Sequence, residues 1–290
     1  MAEARDQGGR TEPVDYLLIG HMCLDETPTG PCLGGTVAYA AVLARRLGLR
    51  VGVVTSAGAD LDVAAALPEL SVHVVPAPAT TRFRNEYRAG QRCQTLCARA
   101  APLGLVDVPD AWLQARLAHL APVAREIDPG LAAALRPTVG FLGATPQGWL
   151  RDWDASGAIV PRPWDDLAAH LAPLDALVVS EEDLAAEPAG PLPLVAAGSL
   201  VALTRGAAGV RLLGCDGVQD VPACPARVHD PTGAGDVFAA AWFVRLVHGD
   251  EPAQAARYAA CAAACAIERP GLAGVPTAEQ IEERLRQWER

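Results

Sequence analysis

The residues Asp230-Pro231-Thr232-Gly233-Ala234-Gly235-Asp236 are the part of this chain best suited to chemistry. Gly233 and Gly235 allow backbone conformations and close approaches that a side chain would block. The apolar run Val237 to Val247 follows with helical spacing. The loop therefore opens a helix, where unpaired N–H groups and the positive end of the dipole favour an anion. An acid inside such a cradle would repel the phosphate that the loop suits. Asp236 fits there as a general base, taking the proton of a hydroxyl that attacks phosphorus. Its plainer role would be a helix cap, which aspartate also fills well.

Other segments join this one in a recognisable order. Gly20-His21-Met22-Cys23-Leu24-Asp25 follows the apolar strand Tyr16 to Ile19, and Gly34-Gly35 lies nine residues beyond Asp25. Further on comes Val201-Ala202-Leu203-Thr204-Arg205-Gly206-Ala207-Ala208-Gly209. The seven-residue string resembles the second signature of the ribokinase-like (PfkB) carbohydrate kinases. The opening segment is similar to that family's acceptor-gripping start, and the third looks like its Thr-x-Gly-x-x-Gly nucleotide loop. All three stand in the family's order.

This resemblance implies an ATP-dependent kinase that passes the γ-phosphate to a hydroxyl of a small polyol or unphosphorylated sugar, with Mg2+ bridging the donor's phosphates. Gly233, Ala234 and Gly235 would form the anion hole, and Asp236 would be the base. Asp25, Gly34, Gly35 and Tyr39 would meet the acceptor. Thr204, Arg205, Gly206, Gly209, Thr232, Cys265 and Gly271 would hold the nucleotide, and Glu182 and Asp183 would serve the magnesium. In two places the chain departs from the pattern. Ser180-Glu181-Glu182-Asp183 stands where the family carries Asn-x-x-Glu, and Tyr39 stands where many sugar kinases place Asn. Among relatives, Tyr39 after the Gly-Gly pair, Thr80-Thr81 and Ser-Glu-Glu look most like plant-type myo-inositol kinases.

Elements that could position these groups alternate along the chain. Tyr16 to Ile19, Val51 to Thr55, Thr138 to Leu142, Ala176 to Val179 and Leu200 to Thr204 are short apolar strands. Helical spacing marks Val37 to Leu47 (ended by Gly48), Asp165 to Leu171, Ala253 to Ile267 and Ala278 to Trp288. Apolar strands alternating with helices imply a mostly parallel sheet covered on both faces, with ligands beyond the strands' carboxyl ends. The expected fold is a ribokinase-like three-layer α/β/α sandwich with a small β lid. Residues 1–290 would form a single kinase domain.

One stretch breaks the rhythm. Thr80 to Arg99 alternates polar residues around Ala89-Gly90-Gln91, a hairpin signal, and carries Arg82, Arg84, Arg88, Arg92 and Arg99. It falls where the family inserts its β lid, here about residues 72–100. By that resemblance Arg82, Arg84 or Tyr87 would touch the acceptor, and the lid would be the place for a homodimer contact.

Composition narrows the alternatives. With 290 residues, a hydrophobic content of 51% and a net charge of −10, the chain can bury a sizeable core and shows no basic run for nucleic acid. It contains no lysine, which excludes a P-loop lysine and a Schiff-base lysine. Cationic help for a phosphate must come from arginine, metal or backbone. Of the cysteines at 23, 32, 93, 97, 215, 224, 261 and 265, none forms a Cys-x-x-Cys pair; Cys261 and Cys265, four apart among alanines, read as small apolar residues of a helix, and a reducing cytoplasm is the expected compartment. The polar start is neither a signal peptide nor a membrane span. Other readings are a nucleoside kinase of the same family, a non-catalytic sugar-binding relative, and a dinucleotide oxidoreductase. The last lacks a Gly-x-Gly-x-x-Gly after its first strand.

Overall fold

The computed structural model describes residues 12–27, 30–88, 91–163, 167–184, 190, 193, 195 and 198–290. Its centre is a nine-stranded sheet in the order β15-β14-β13-β12-β9-β8-β1-β4-β5. These strands are β1 (Tyr16–Ile19), β4 (Val51–Ala57), β5 (Ser71–Pro76), β8 (Leu117–Leu120), β9 (Phe141–Ala144), β12 (Ala176–Ser180), β13 (Leu200–Thr204), β14 (Val210–Gly214) and β15 (Gly217–Val221). All neighbours pair in parallel except β13 with β14 and β14 with β15.

Side-chain alternation explains the three layers. Tyr16 and Leu18 of β1 enter one buried cluster, with the helices Thr36–Arg46, Ala234–Val247 and Pro252–Ala266. Leu17 and Ile19 enter the other, with Leu131 and Leu135 of the short helix Leu131–Leu135 and with Leu171. A strand buried on both faces must be apolar throughout, which is why β1, β12 and β13 are visible as continuous runs. The expected helices match closely: Thr36–Arg46, Leu167–Leu171, Pro252–Ala266 and Ala278–Trp288. Residues 165–166 of the expected Asp165 to Leu171 helix lie outside the described residues.

A smaller four-stranded sheet, β3-β2-β6-β7, stands over the carboxyl ends. The expected hairpin is present as β6 (Thr81–Arg88) and β7 (Gln91–Ala98). Two strands not anticipated complete the sheet, β2 (Cys23–Thr27) and β3 (Gly30–Gly34). β2 pairs in parallel with β6, so Asp25 lies opposite Phe83. The expected start of the lid near residue 72 needs correction, because β5 pairs with β4 as an edge of the large sheet. A third small element, the hairpin β10 (Arg151–Trp153) and β11 (Ile159–Pro161), docks on the lid: the Leu96 amide donates to the Gly157 carbonyl at 2.8 Å. Among the described residues no helix is long and apolar enough to cross a membrane.

Candidate active site

At the middle of the large sheet the chain leaves β1 toward β4 on one side and β8 lies on the other, a switch point where the two loops diverge and open a crevice. Glu126 ties those loops together. Its buried carboxylate accepts the His21 amide at 3.0 Å and the Val123 and Ala124 amides at 3.0 and 2.7 Å. His21, fully buried, bonds Thr81 through Nδ1 at 2.7 Å and the Ala101 carbonyl through Nε2 at 2.8 Å. The loop after β1 is thereby fixed to the root of the lid.

Two helix N-termini converge beyond this point. Gly233, in the left-handed region at φ +79°, caps Ala234–Val247, which carries Asp236 in its first turn. Gly35, at φ +89°, caps Thr36–Arg46, and Thr36 donates its hydroxyl to Asp236 Oδ1 at 2.8 Å. The Thr36–Asp236 bond brings these two helix N-termini together, and the positive ends of both helix dipoles favour negative charge there. A Cβ on Gly233 would stand 2.3 Å from the Tyr39 ring, so Tyr39 lies buried directly beneath the anion loop. Burial, with Asp230, Asp236 and Asp25 near, holds the Tyr39 phenol in its protonated form, well above its ordinary pKa. Tyr39 was expected at the acceptor; the structure places it as the floor of the cradle.

Asp230 begins the loop and braces it. Its Oδ1 accepts the Thr232 amide at 3.0 Å and its Oδ2 the Gly271 amide at 3.1 Å, while its own amide and that of His229 reach the Ile267 carbonyl. Burial raises the Asp230 carboxyl, and these hydrogen bonds with nearby His229 more than offset it, holding the pKa below the usual range. Thr232 and Gly271 thus stand beside the cradle. Cys265 does not join them. Its Sγ faces the Gln280 carbonyl at 4.0 Å, in a groove of about 670 Å³ that includes Arg46, Glu268, Thr277 and Arg284 but no other expected site residue.

On the lid, Asp25 lies against Gly34, where a Cβ would come within 2.2 Å of its Oδ2; a Cβ on Gly35 would stand 2.5 Å from the His21 carbonyl oxygen. The Gly-Gly pair is needed for these approaches. Asn85 Nδ2 donates to Asp25 Oδ1 at 3.2 Å, and Gln94 Nε2 donates to Asn85 Oδ1 at 3.0 Å. This row of polar groups escaped the sequence reading, because an Asn and a Gln in a hairpin look like ordinary solvated residues. Arg82 and Arg84 were expected here and lie elsewhere. Strand alternation turns them to the opposite face from Phe83 and Asn85, where Arg82 pairs with Asp60 at 3.0 Å and Arg84 with Glu26 at 2.7 Å. The Tyr87 side chain is outside the described residues.

The expected nucleotide loop joins β13 to β14. Thr204 stands beside Ser180 at adjacent strand ends. Gly209, at φ +87°, approaches the Val221 carbonyl so closely that a Cβ would lie 2.2 Å away. Arg205 turns back to Asp220 at 2.9 Å, and its buried Nε has no partner among the described residues.

The magnesium segment is arranged differently from the expectation. Asp183 Oδ2 accepts the Ser180 hydroxyl at 2.7 Å, and its Oδ1 accepts Gln147 Nε2 at 3.3 Å with Arg151 Nη2 at 3.9 Å. Glu182 is exposed. Among the described residues no group of three or more His, Cys, Asp or Glu could hold a metal ion. Glu182, exposed, and Asp183 would serve a magnesium as hard oxygen groups acting through water.

Electrostatics link the dispersed groups. Burial drives the Cys23 thiol far above its usual pKa; Glu126, Asp25 and Asp236 push it the same way, and Arg151 opposes them. Asp25, Asp236 and Arg151 thus each lie within electrostatic reach of Cys23.

Comparisons with known proteins bear on the family and the fold. Residues 174–278 match the profile of the pfkB family carbohydrate kinases. The chain is 27% identical over 256 residues to a cytidine kinase of Thermococcus kodakarensis, covering 81% of this chain and 90% of that protein. Its fold is similar to that of a pyrophosphate-dependent kinase in the ribokinase family complexed with a pyrophosphate analog and myo-inositol, with a TM-score of 0.79 at 23% identity over 93% of this chain and 99% of that one. It is also similar to that of ribokinase from Thermotoga maritima, with a TM-score of 0.71 at 20% identity over 94% and 99% of the two chains.

Proposed function

We propose that this ribokinase-like PfkB kinase, a phosphotransferase acting on a hydroxyl, takes as acceptor a small, uncharged polyhydroxylated molecule: a polyol such as inositol, an unphosphorylated sugar or a nucleoside. The observation that carries this reading is the placement of the Asp236 carboxylate, held by Thr36 at 2.8 Å, between two helix N-termini. A base among anion-binding amides serves a reaction in which a hydroxyl loses its proton while negative charge builds on phosphorus-bound oxygens.

In the proposed step the acceptor oxygen bonds to the terminal phosphorus of ATP and passes its proton to Asp236. The bridging P–O bond breaks, and its electron pair leaves with ADP. Amides at Gly233, Ala234 and Gly235 stabilise the charge on the transferring group. Asp25, backed by Asn85 and Gln94, accepts hydroxyl hydrogens and sets which oxygen faces Asp236. Thr204, Gly206 and Gly209 receive the nucleotide, with Thr232 and Gly271 at its phosphate end. Mg2+ would lower the charge of the donor's phosphates. A homodimer contact through the lid belongs to the same proposal.

The cytidine kinase likeness supports a nucleoside as the alternative acceptor, and the fold shared with a pyrophosphate-dependent kinase supports pyrophosphate as the alternative donor. Purified protein incubated with ATP or pyrophosphate against inositol, ribose, cytidine, adenosine and fructose 6-phosphate tests the proposal. Transfer to an unphosphorylated acceptor that Asp236→Asn abolishes supports it. A preference for the phosphorylated sugar, or full activity in the variant, refutes it.

A further inference from the structure

The connection from β15 to the anion loop, residues 222–230, forms no strand or helix and is held against the carboxyl end of the helix Pro252–Ala266. The Arg227 amide donates to Glu268 Oε1 at 3.1 Å, and the His229 and Asp230 amides donate to the Ile267 carbonyl at 2.7 and 3.0 Å. Arg284 Nη1 donates to the Pro225 carbonyl at 2.9 Å. The connection ends at Asp230, whose carboxylate accepts the Thr232 and Gly271 amides. Its course therefore sets where the anion loop begins.

Cys224, on this connection, meets Cys261 of the helix. Both are free thiols, 37 positions apart in the chain, and the Cys261 thiol donates to Cys224 Sγ at 3.6 Å. Cys224 is 7% exposed and Cys261 fully buried. The buried face of the helix is otherwise built of Ala255, Ala256, Ala259 and Ala262, so small size alone would be met by alanine and does not call for two facing sulfurs. A disulfide holds its sulfurs about 2.05 Å apart, so closure needs a movement of about 1.5 Å. The irregular segment around Cys224 can supply it, whereas Cys261 is fixed in mid-helix. The pair is also polarised. The Cys261 hydrogen bond, with the Arg284 guanidinium nearby, holds the Cys224 thiol below its ordinary pKa against the effect of burial. The same bond and burial keep Cys261 protonated. One sulfur is thereby suited to attack an oxidant and the other to resolve the product.

We propose that Cys224 and Cys261 form a reversible oxidation site, which hydrogen peroxide converts to a disulfide that draws the 222–230 connection toward the helix and shifts the anion loop. The Cys224 sulfur attacks one peroxide oxygen and the O–O bond breaks. The leaving hydroxide takes the thiol proton and departs as water, leaving a sulfenic acid. The Cys261 sulfur then attacks the Cys224 sulfur, the S–O bond breaks, and a second water leaves with the Cys261 proton. The two thiols give up two electrons and two protons, and the peroxide becomes two waters. In a reducing compartment thiol exchange reverses such a bond, as a sensor requires. The bond does not depend on the kinase reading above; its effect on turnover does.

The test treats the purified full-length protein with hydrogen peroxide, alkylates it in denaturant and digests it without reductant. Mass spectrometry should find Cys224 joined to Cys261. The melting temperature should rise by about 5 °C, because the bond closes a long loop, and fall back with dithiothreitol. Oxidation should lower kcat at least about tenfold, since a misplacement of about 1 Å at the reacting groups is enough for such a loss. Cys224→Ala and Cys261→Ala should each lose the bond, the melting rise and the reversible inhibition. Cys265→Ala should keep all three, its sulfur being turned toward the Gln280 carbonyl. Oxidation at the exposed Cys32, Cys93, Cys97 and Cys215 is common to all four proteins and cancels in the comparison. Cys224 and Cys261 left free to alkylate after peroxide, or a bond from either to Cys265, would overturn the site. A Cys224–Cys261 bond with kcat within about twofold of the reduced enzyme would overturn the shift of the anion loop. If the reduced protein phosphorylates no acceptor, the kinase reading fails, and the mass and melting arms still judge the disulfide.

Discussion

Thr36 and Asp236, two hundred positions apart, are joined by a 2.8 Å hydrogen bond from the threonine hydroxyl to Oδ1. Each stands in the first turn of its own helix, behind a glycine with positive φ. The hydroxyl is a neutral donor that helps to orient the aspartate side chain.

Asp236→Asn should keep the fold and lower turnover by about a hundredfold to ten-thousandfold, the range for a lost general base. Thr36→Val keeps the shape and removes the donor. It should lower kcat by about ten- to a hundredfold through misorientation, with Thr36→Ser restoring most of it. Steady-state kinetics on the three proteins decide the matter. An Asp236→Asn enzyme of normal activity would reduce the aspartate to a helix cap.

The floor of the cradle gives a stability prediction. Gly233→Ala forces a side chain into φ +79° and sets its Cβ 2.3 Å from the Tyr39 ring. The left-handed conformation costs about 1–2 kcal/mol and the overlap adds to it. Denaturant unfolding should show a loss of about 2–4 kcal/mol. Tyr39→Ala in the same chain should recover the overlap part and leave the backbone part. Simple additivity of the two losses would show that the ring and the loop are not in contact.

Such relations mark the limit of what the sequence discloses. β1, β12 and β13 could be read directly, because a strand buried on both faces must be apolar at every position. β2 and β3 could not: Cys-Leu-Asp-Glu-Thr and Gly-Pro-Cys-Leu-Gly show neither alternation nor β-branched enrichment, and only the pairing of β3 with β2 and of β2 with β6 makes them strands. The anion loop was legible because its glycines, its acid and its helix are contiguous. Thr36 and Asn85 were not, since each is an unremarkable residue until a distant element is folded against it. The lid arginines misled for a related reason. Their abundance suggested anion binding, but alternation sends Arg82 and Arg84 to the face away from Asn85 and into ion pairs.

His119 supplies a pH prediction. Burial holds its imidazole down at about 3, between the Tyr16 hydroxyl at 3.0 Å and the Thr145 hydroxyl at 3.1 Å. The unfolded chain binds this proton near pH 6.5 while the fold refuses it until about 3. The neutral ring's contribution is thus complete above 6.5 and shrinks as pH falls toward 3, by about 1.4 kcal/mol per unit. His119→Gln should be less stable at pH 7 and show a flatter decline between pH 6 and 4. Urea unfolding across that range compares the slopes; identical slopes would mean that His119 is protonated in the fold.

The acceptor end turns on Asp25. Its carboxylate meets Asn85 at 3.2 Å, and Asn85 in turn meets Gln94 at 3.0 Å, so the lid presents an acceptor and an amide on one face. A charged acceptor of hydroxyl hydrogens suits an uncharged polyhydroxylated ring and repels one that already bears phosphate. Asp25→Ala should lose about 2 kcal/mol or more in acceptor kcat/KM, the scale of one charge-assisted contact, with donor KM nearly unchanged. Asn85→Leu keeps the carboxylate but removes its partner and the amide; it should cost less, about 1 kcal/mol, and change which acceptor or which hydroxyl is preferred. Product analysis by phosphorus NMR on both variants distinguishes the two effects. If Asp25→Ala leaves acceptor kinetics unaltered, the carboxylate only supports the Gly34 turn against which it packs, and recognition of the acceptor lies elsewhere on the lid.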